Sequence, residues 1–191
     1  WRALRDLSED EKKRLFNALA DHMVSLGLSG DAALSLRGSV YTLTREEPWT
    51  PLRDAREFSV LLNATGRMDH PSLGVSICMG DRGAALEEAN TVLDEYRQTI
   101  TKYLNWLMEP NMGRIEEFNN IYVVRGEGVI DDKIIGTISS ILSTNLSKPE
   151  KPIIAYSVVP KENLVKISAR ANDTTVSRGL NLGELLRVAA D

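Results

Sequence analysis

The sequence predicts an α/β protein with a helical N-terminal part, one long linker helix and a small C-terminal α/β lobe. Three observations support this fold class. Apolar residues at helical spacing dominate residues 1–80. Residues 82–108 contain no proline and carry a continuous apolar stripe. Beyond residue 112, short β-branched runs alternate with helical patterns. The predicted division is therefore a helical segment 1–80, a long helix 81–111 and a lobe 112–191.

The helical segment begins with a capping-box pattern. Ser8 and Glu11 have the spacing at which a serine hydroxyl and a glutamate carboxylate satisfy each other's backbone amides. The helix that follows is predicted to stop at Gly27. Residues 38–44 alternate like a short strand, and two prolines mark a loop after it. A second helix is predicted over 52–65, ending at Gly66, with three apolar side chains inward: Phe58, Leu61 and Leu62.

The most regular element is the predicted helix over 82–108. At 1.5 Å per residue its length would be about 40 Å, which is long for the interior of one small domain. We therefore expect it to connect two lobes and to end at the Pro-Asn-Met-Gly break, residues 110–113.

The C-terminal lobe is predicted from alternating strand and helix patterns. A helix over 131–145, capped by Asp131 or Asp132, separates the first two strands, and a last helix begins at Asn181 and runs to Asp191. The predicted strands are 119–128, 152–159 and 164–171. Residues 160–163 are predicted to form the turn between the last two strands.

Composition narrows the classes of function. The chain has 27 acidic and 23 basic residues, so its net charge of −4 excludes a basic field over the whole surface. Its one cysteine, Cys78, cannot form an internal disulfide and is compatible with a reducing compartment. No apolar run approaches the roughly 20 residues that span a bilayer. A cytoplasmic protein without a membrane partner is expected, and the opening at Trp1 indicates a fragment of a longer chain.

The residues do not form a recognisable catalytic centre. A catalytic metal site needs three or more converging ligands, and the chain has only two histidines, His22 and His70. His22 lies within the first predicted helix, and Asp69-His70 is expected to form a turn or an interlobe contact. Cys78 stands between two apolar residues and is expected to be buried. Nucleophile-elbow and Walker motifs are absent from the sequence.

Anion binding is the chemistry for which candidates remain. Arg67 follows a predicted helix end, where backbone amides can join its guanidinium in holding an anion. Lys166, Ser168 and Arg170 share one side of a predicted strand, while Val165, Ile167 and Ala169 take the other, expected to be the core side. The polar side could bind phosphates, or it could be an ordinary solvated strand face.

Longer segments resemble a known family. The segment LRDAREFSVLLNATGRMDHPSLGVSICMGDR resembles the part of archaeal RecJ-like proteins, in the DHH phosphoesterase superfamily, that leads into the linker helix. Asn63, Ala64, Gly66 and Arg67 match the Asn-Ala-x-Gly-Arg signature of the related bacterial exonucleases. The segments IYVVRGEGVIDDKIIGTISSIL, KPIIAYSVV, VKISARA and GLNLGELLRVAA are similar to the DHH-associated domain that follows that helix. The resemblance covers roughly residues 38–191 in the family's order.

The resemblance implies a metal-dependent hydrolase whose catalytic motifs lie outside this chain. The superfamily's Asp-His-His motif and further aspartates belong to an N-terminal region, so manganese (or magnesium) is expected in the full-length protein only. The family's Gly-Gly-Gly-His stretch would follow the last helix, so the DHH-associated domain is expected to be truncated at its C-terminus. No cofactor and no catalytic residue is assigned to this chain.

The same resemblance gives roles to the anion-binding candidates. It implies that Asn63 and Arg67 approach a cleft from one lobe, and that Ser168 and Arg170, with Lys166 on the same strand face, approach it from the other. Single-stranded DNA or RNA would lie between them. Two alternatives are open: a non-catalytic replication scaffold that binds GINS, and a phosphodiesterase for short oligonucleotides or cyclic dinucleotides.

Overall fold

The computed structural model describes residues 4, 7–36, 38–48, 50–146, 148, 150–159 and 162–190. In this part of the chain, eight helices accompany one four-stranded mixed sheet, which confirms the predicted α/β class. The helices are α1 (Glu9–Ser25), α2 (Gly30–Leu34), α3 (Ala55–Arg67), α4 (Pro71–Cys78), α5 (Ala84–Leu107), α6 (Ile135–Asn145), α7 (Asp173–Ser177) and α8 (Leu182–Ala190). The strands are β1 (Ile115–Glu117), β2 (Tyr122–Arg125), β3 (Ile153–Val159) and β4 (Leu164–Arg170). None of the described helices is long and apolar enough to cross a membrane.

The chain forms two compact units, Trp1–Phe58 and Ser59–Asp191, so the boundary falls within α3. The predicted assignment of 1–80, 81–111 and 112–191 to domains of a larger protein stays a prediction. The sequence also predicts exposed apolar surface around Trp1, Leu4 and Trp49. Leu4 is 59% exposed, whereas Trp1 and Trp49 lie outside the described ranges.

In the first unit, α1 begins with the predicted capping box. The Ser8 hydroxyl accepts from the Glu11 amide at 3.3 Å, and the Glu11 carboxylate accepts from the Ser8 amide at 2.8 Å. The helix ends at Ser25, and Gly27 follows with a φ of 82°, as its role as a stop requires. The short helix α2 was not predicted.

The predicted strand 38–44 is wrong. Thr42 forms one isolated bridge with Asp54, and Val40 and Tyr41 are each 73% exposed. An alternating pattern predicts a strand only if a neighbouring strand supplies backbone partners, and the described residues around this segment supply just this bridge.

The second unit begins within α3 and continues with α4 and α5. α3 starts after a 3₁₀ turn, Pro51–Arg53, and continues through Gly66 to Arg67, so the predicted end at Gly66 is wrong. Gly66 has open space around its α-carbon and costs the helix little beyond backbone entropy. The chain reverses at Asp69, whose φ is 66°, and α4 then begins at Pro71. This confirms the turn at Asp69-His70, whereas α4 itself was not predicted.

α5 confirms the long helix as one unbroken element of 24 residues, which is about 36 Å long at 1.5 Å per residue. Its buried side chains include Ala89, Val92 and Tyr96, and it packs along α4. The Tyr96 hydroxyl lies 3.0 Å from the Thr137 hydroxyl on α6, and the Tyr103 hydroxyl accepts from the Asp131 amide at 3.4 Å. Hydrogen bonds therefore join α5 to α6 and to the loop before it.

The sheet has the order β1-β2-β3-β4. β1 pairs with β2 and β3 with β4 in antiparallel fashion, while β2 and β3 are parallel and are connected through α6. α6 packs on β3 and β4 and buries an isoleucine-rich core against the sheet. The fully buried large side chains of this core include Ile130, Ile134, Ile135, Ile138, Leu142 and Ile153. The predicted strands 152–159 and 164–171 are confirmed as β3 and β4, 119–128 narrows to β2, and β1 and α7 were not predicted.

Candidate anion-binding site

The first candidate site residue, Arg67, is the last residue of α3 and is half-buried. Its Nη1 donates a hydrogen bond of 2.5 Å to the backbone carbonyl of Lys133, in the loop before α6. Asn63 lies four residues earlier, on the same side of α3, and is exposed. The end of α3 is thus tied to the start of α6 through Arg67, and Asn63 is one turn away.

A second bond joins the same two segments. The Lys133 ammonium contacts the Asp69 carboxylate, and the side chains of this ion pair are 41% and 75% exposed. The hydrogen bond that Lys133 donates to the Asp69 carboxylate raises the pKa of Lys133, which keeps the ammonium charged. Arg67 and Lys133 therefore bring two positive charges to one position.

The loop that carries Lys133 has its own internal order. The Asp131 carboxylate accepts from the Lys133 amide at 2.8 Å, and the Asp131 carbonyl accepts from the Ile134 and Ile135 amides. α6 begins only at Ile135, and its N-cap, Ile134, makes no side-chain cap. The prediction that Asp131 or Asp132 caps a helix from 131 is therefore wrong, since the Asp131 side chain orders the turn before the helix instead.

The polar side of β4 faces α6 and the loop before it. Lys166 Nζ lies 3.5 Å from the Asp132 carboxylate. The Ser168 hydroxyl lies 2.9 Å from the hydroxyl of Ser139, a fully buried residue of α6.

Arg170 lies over the first turn of α6. A β-carbon built on Gly136 would be 3.9 Å from Arg170 Nη2 and 3.7 Å from the Ser168 hydroxyl. The guanidinium can approach this turn closely because position 136 has no side chain. Arg170 Nη1 donates a hydrogen bond of 3.1 Å to its neighbour's carbonyl, Ala169, and the side chain is exposed.

The other side of β4 is not the core side. Val165 and Ile167 are 55% and 51% exposed, so the prediction that they point inward with Ala169 is wrong. The register pairs Ser168 with Ala155 and Arg170 with Ile153, and these β3 partners lie on the side that α6 covers. Because α6 covers the polar side, the apolar side is left open.

The loop before α6 and its first two turns, residues 131–139, thus collect four of the five candidates. Arg67 comes from α3, and Lys166, Ser168 and Arg170 come from β4; Asn63 has no described contact with this segment. Two arginines and two lysines along this segment can hold phosphate oxygens through charge-assisted hydrogen bonds. Asp69 and Asp132 already pair with the two lysines, so the arginines are the stronger candidates for an anion.

Sequence reasoning missed the residues on the α6 side, which are Asp132, Lys133, Gly136 and Ser139. The Asp-Asp-Lys run is a visible cluster of charge in the sequence, but its position before an apolar helix pattern predicts a helix cap. Arg67 and Lys133 are 66 positions apart in the sequence, and Ser139 and Ser168 are 29 positions apart. Neither contact therefore leaves a local sequence pattern.

No three His, Cys, Asp or Glu side chains converge on a possible metal position within the described ranges. His22 and His70 are exposed. Cys78 is exposed at the end of α4, so the expectation that it is buried is wrong. Its neighbour Ile77 takes the buried position on that helix. The described residues therefore do not fit a metal pair.

Comparison with known proteins adds one relative. No family model matches the chain. Over 140 residues the chain is 34% identical to an uncharacterized protein of the archaeon Methanocaldococcus jannaschii. The matched region is 73% of this chain and 28% of the relative, so the chain corresponds to little more than a quarter of that protein's length.

Proposed function

We propose that this chain is the substrate-binding C-terminal part of a RecJ-like phosphodiesterase that acts on single-stranded nucleic acid in the cytoplasm. The observation that carries the proposal is that Arg67 contacts Lys133, in the loop before α6, and that Arg170 lies over Gly136, in the first turn of α6. These two arginines come from segments about a hundred residues apart, and each belongs to a stretch that resembles the RecJ-like family.

The proposed role is to hold the backbone of the substrate. The planar guanidinium can make two hydrogen bonds to one phosphate, which suits a backbone held without reading its bases. The chemistry of cleavage would belong to residues outside this chain, which in the proposed family hold the metal ions. This chain's own residues would bind and orient the strand.

The proposal is tested with Arg170→Ala and Arg170→Lys in the 191-residue chain. Affinity for a single-stranded oligonucleotide is measured at several salt concentrations, after a thermal melt has shown that each variant folds. Loss of a charge-assisted hydrogen bond should weaken binding by about 1–3 kcal/mol. The salt slope should also fall, because one phosphate fewer is neutralised. Arg170→Lys should recover part of the affinity, since lysine lacks the bidentate geometry.

The matched control is Lys102→Ala, which removes one positive charge from an exposed position of α5. The control should leave affinity nearly unchanged. If Arg170→Ala and Lys102→Ala behave alike, or if the wild-type chain does not bind the oligonucleotide, the proposal is wrong. A preference for dinucleotides over longer strands would favour the short-oligonucleotide phosphodiesterase instead.

A second candidate function, the scaffold that binds GINS, is favoured by a different observation. The open side of the sheet exposes Val158, Val165 and Ile167 at 38%, 55% and 51%. Exposed apolar patches are typical of protein interfaces. Loss of GINS binding in an Ile167→Asp variant that still binds the oligonucleotide would support this function.

A further inference from the structure

The ion pair between Asp69 and Lys133 lies within the proposed phosphate-binding site. Lys133 precedes α6, and its backbone carbonyl accepts the Arg67 hydrogen bond. The same residue is thus contacted at its backbone by an arginine that the proposed function assigns to the substrate. The group that contacts the Lys133 ammonium is the Asp69 carboxylate, from the turn after α3.

Two properties of this pair distinguish it from a structural salt bridge. The side chains of both residues are exposed, and exposed ion pairs contribute little to stability. The backbone bond from Arg67 and the turn formed by Asp131 already hold the loop in place without the Lys133 side chain. Release of the ammonium would therefore not disturb the loop.

We infer that Lys133 is a further phosphate-binding residue and that Asp69 is an internal competitor, which holds its ammonium until a phosphate displaces the carboxylate. This inference rests on the proposed function, because it names a regulating contact of the same site. Asp69 would weaken binding of any polyanion. The affinity would also depend more strongly on how many phosphates the ligand carries.

The turn at Asp69 favours this role. Its φ of 66° lies in the left-handed region, which aspartate tolerates better than most residues, so Asp69→Asn should keep the turn. Asparagine keeps the size and a carbonyl acceptor but loses the charge. The variant thus removes the competing charge and leaves the backbone unchanged.

The test is a double-mutant cycle with Asp69→Asn and Lys133→Gln, alone and combined. The probes are a single-stranded oligonucleotide and inorganic pyrophosphate. Each is titrated into isotope-labelled protein, and binding is followed by the NMR signal of the backbone amide at position 133. Asp69→Asn should tighten binding about two- to five-fold, the range expected for loss of one exposed ion pair. Lys133→Gln should weaken binding about ten-fold. In the Lys133→Gln background, Asp69→Asn should have no further effect.

The charge-matched control is Asp94→Asn. Asp94 forms an exposed pair with Arg97 on α5, with 3.6 Å between Asp94 Oδ1 and Arg97 Nη1, and the substitution makes the same change in net charge. If Asp69→Asn and Asp94→Asn tighten binding equally, or if the gain persists without Lys133, the inference is wrong although the proposed function stands. If pyrophosphate shows the predicted cycle and the oligonucleotide does not bind, the inference stands and the proposed function fails. Binding of neither probe refutes both.

Discussion

Gly126 follows β2 directly, and the structure predicts that even one added methyl group there is costly. The Gly126 amide donates to the Tyr156 carbonyl on β3 at 2.8 Å. A β-carbon at position 126 would lie 2.6 Å from that same oxygen, 3.2 Å from Ile135 Cδ1 and 3.3 Å from Ile130 Cβ. The first contact is far inside van der Waals distance and involves backbone, which cannot rotate away.

The magnitude follows from these contacts. Overpacking of a buried site costs about 1–3 kcal/mol. Displacement of the Tyr156 carbonyl would also weaken its hydrogen bond, which contributes about 0.5–1.5 kcal/mol. Alanine gains about 0.4–1 kcal/mol because it restricts the unfolded chain. We expect Gly126→Ala to lower the free energy of unfolding by about 2 kcal/mol, the middle of the two costs added together less the gain.

The assay is urea unfolding together with amide hydrogen exchange of β2 and β3, because a chain with two compact units need not unfold in one step. Gly128→Ala is the matched control, since a β-carbon there meets nothing within 4 Å. The control should change the free energy of unfolding by less than about 1 kcal/mol. Equal stability of the two variants would refute the reasoning, because the packing at position 126 is the difference between them.

Two further predictions concern stability. Lys148 and Lys151 hold the pKa of Glu117 down to about 2 from its ordinary 4.5, so its contribution to stability is present above pH 4.5 and is lost as pH falls toward 2. Thermal melts between pH 2 and pH 7 should therefore show a shallower acid-induced loss for Glu117→Gln, and an unchanged profile would contradict this pairing. The Tyr122 hydroxyl is buried and has no hydrogen-bond partner in the described structure, so Tyr122→Phe should raise the free energy of unfolding by about 1 kcal/mol. Chemical denaturation would test this second prediction, and a clear loss of stability would show that the hydroxyl has a partner.

Local signals in the sequence were sufficient for much of the architecture. The capping box at Ser8 and Glu11 predicted the start of α1, because both of its hydrogen bonds lie within four residues. The unbroken apolar stripe predicted α5, and the β-branched runs predicted β3 and β4. In each case the determining interactions are a helix cap or a side-chain period, and these can be found in a short window of sequence.

Only the tertiary structure decided which side of β4 is covered. Alternation separates Lys166, Ser168 and Arg170 from Val165 and Ile167, but a period of two carries no information about which side a helix will cover. The polar side meets α6 because Ser139 and Gly136 offer it a hydroxyl and an open space. The strand predicted over 38–44 failed for a related reason, since pairing requires a neighbour that the local sequence does not specify.

The candidate site divides in the same way. The sequence by itself identified three of its four cationic members, because Arg67 lies at the end of a helix pattern and Lys166 and Arg170 share a strand face. The structure added Asp69, Asp132 and Lys133, through ion pairs between residues far apart in the chain. A charge can be identified from its residue type, whereas its partner depends on how the chain folds back, and the partner determines whether that charge is available to an anion.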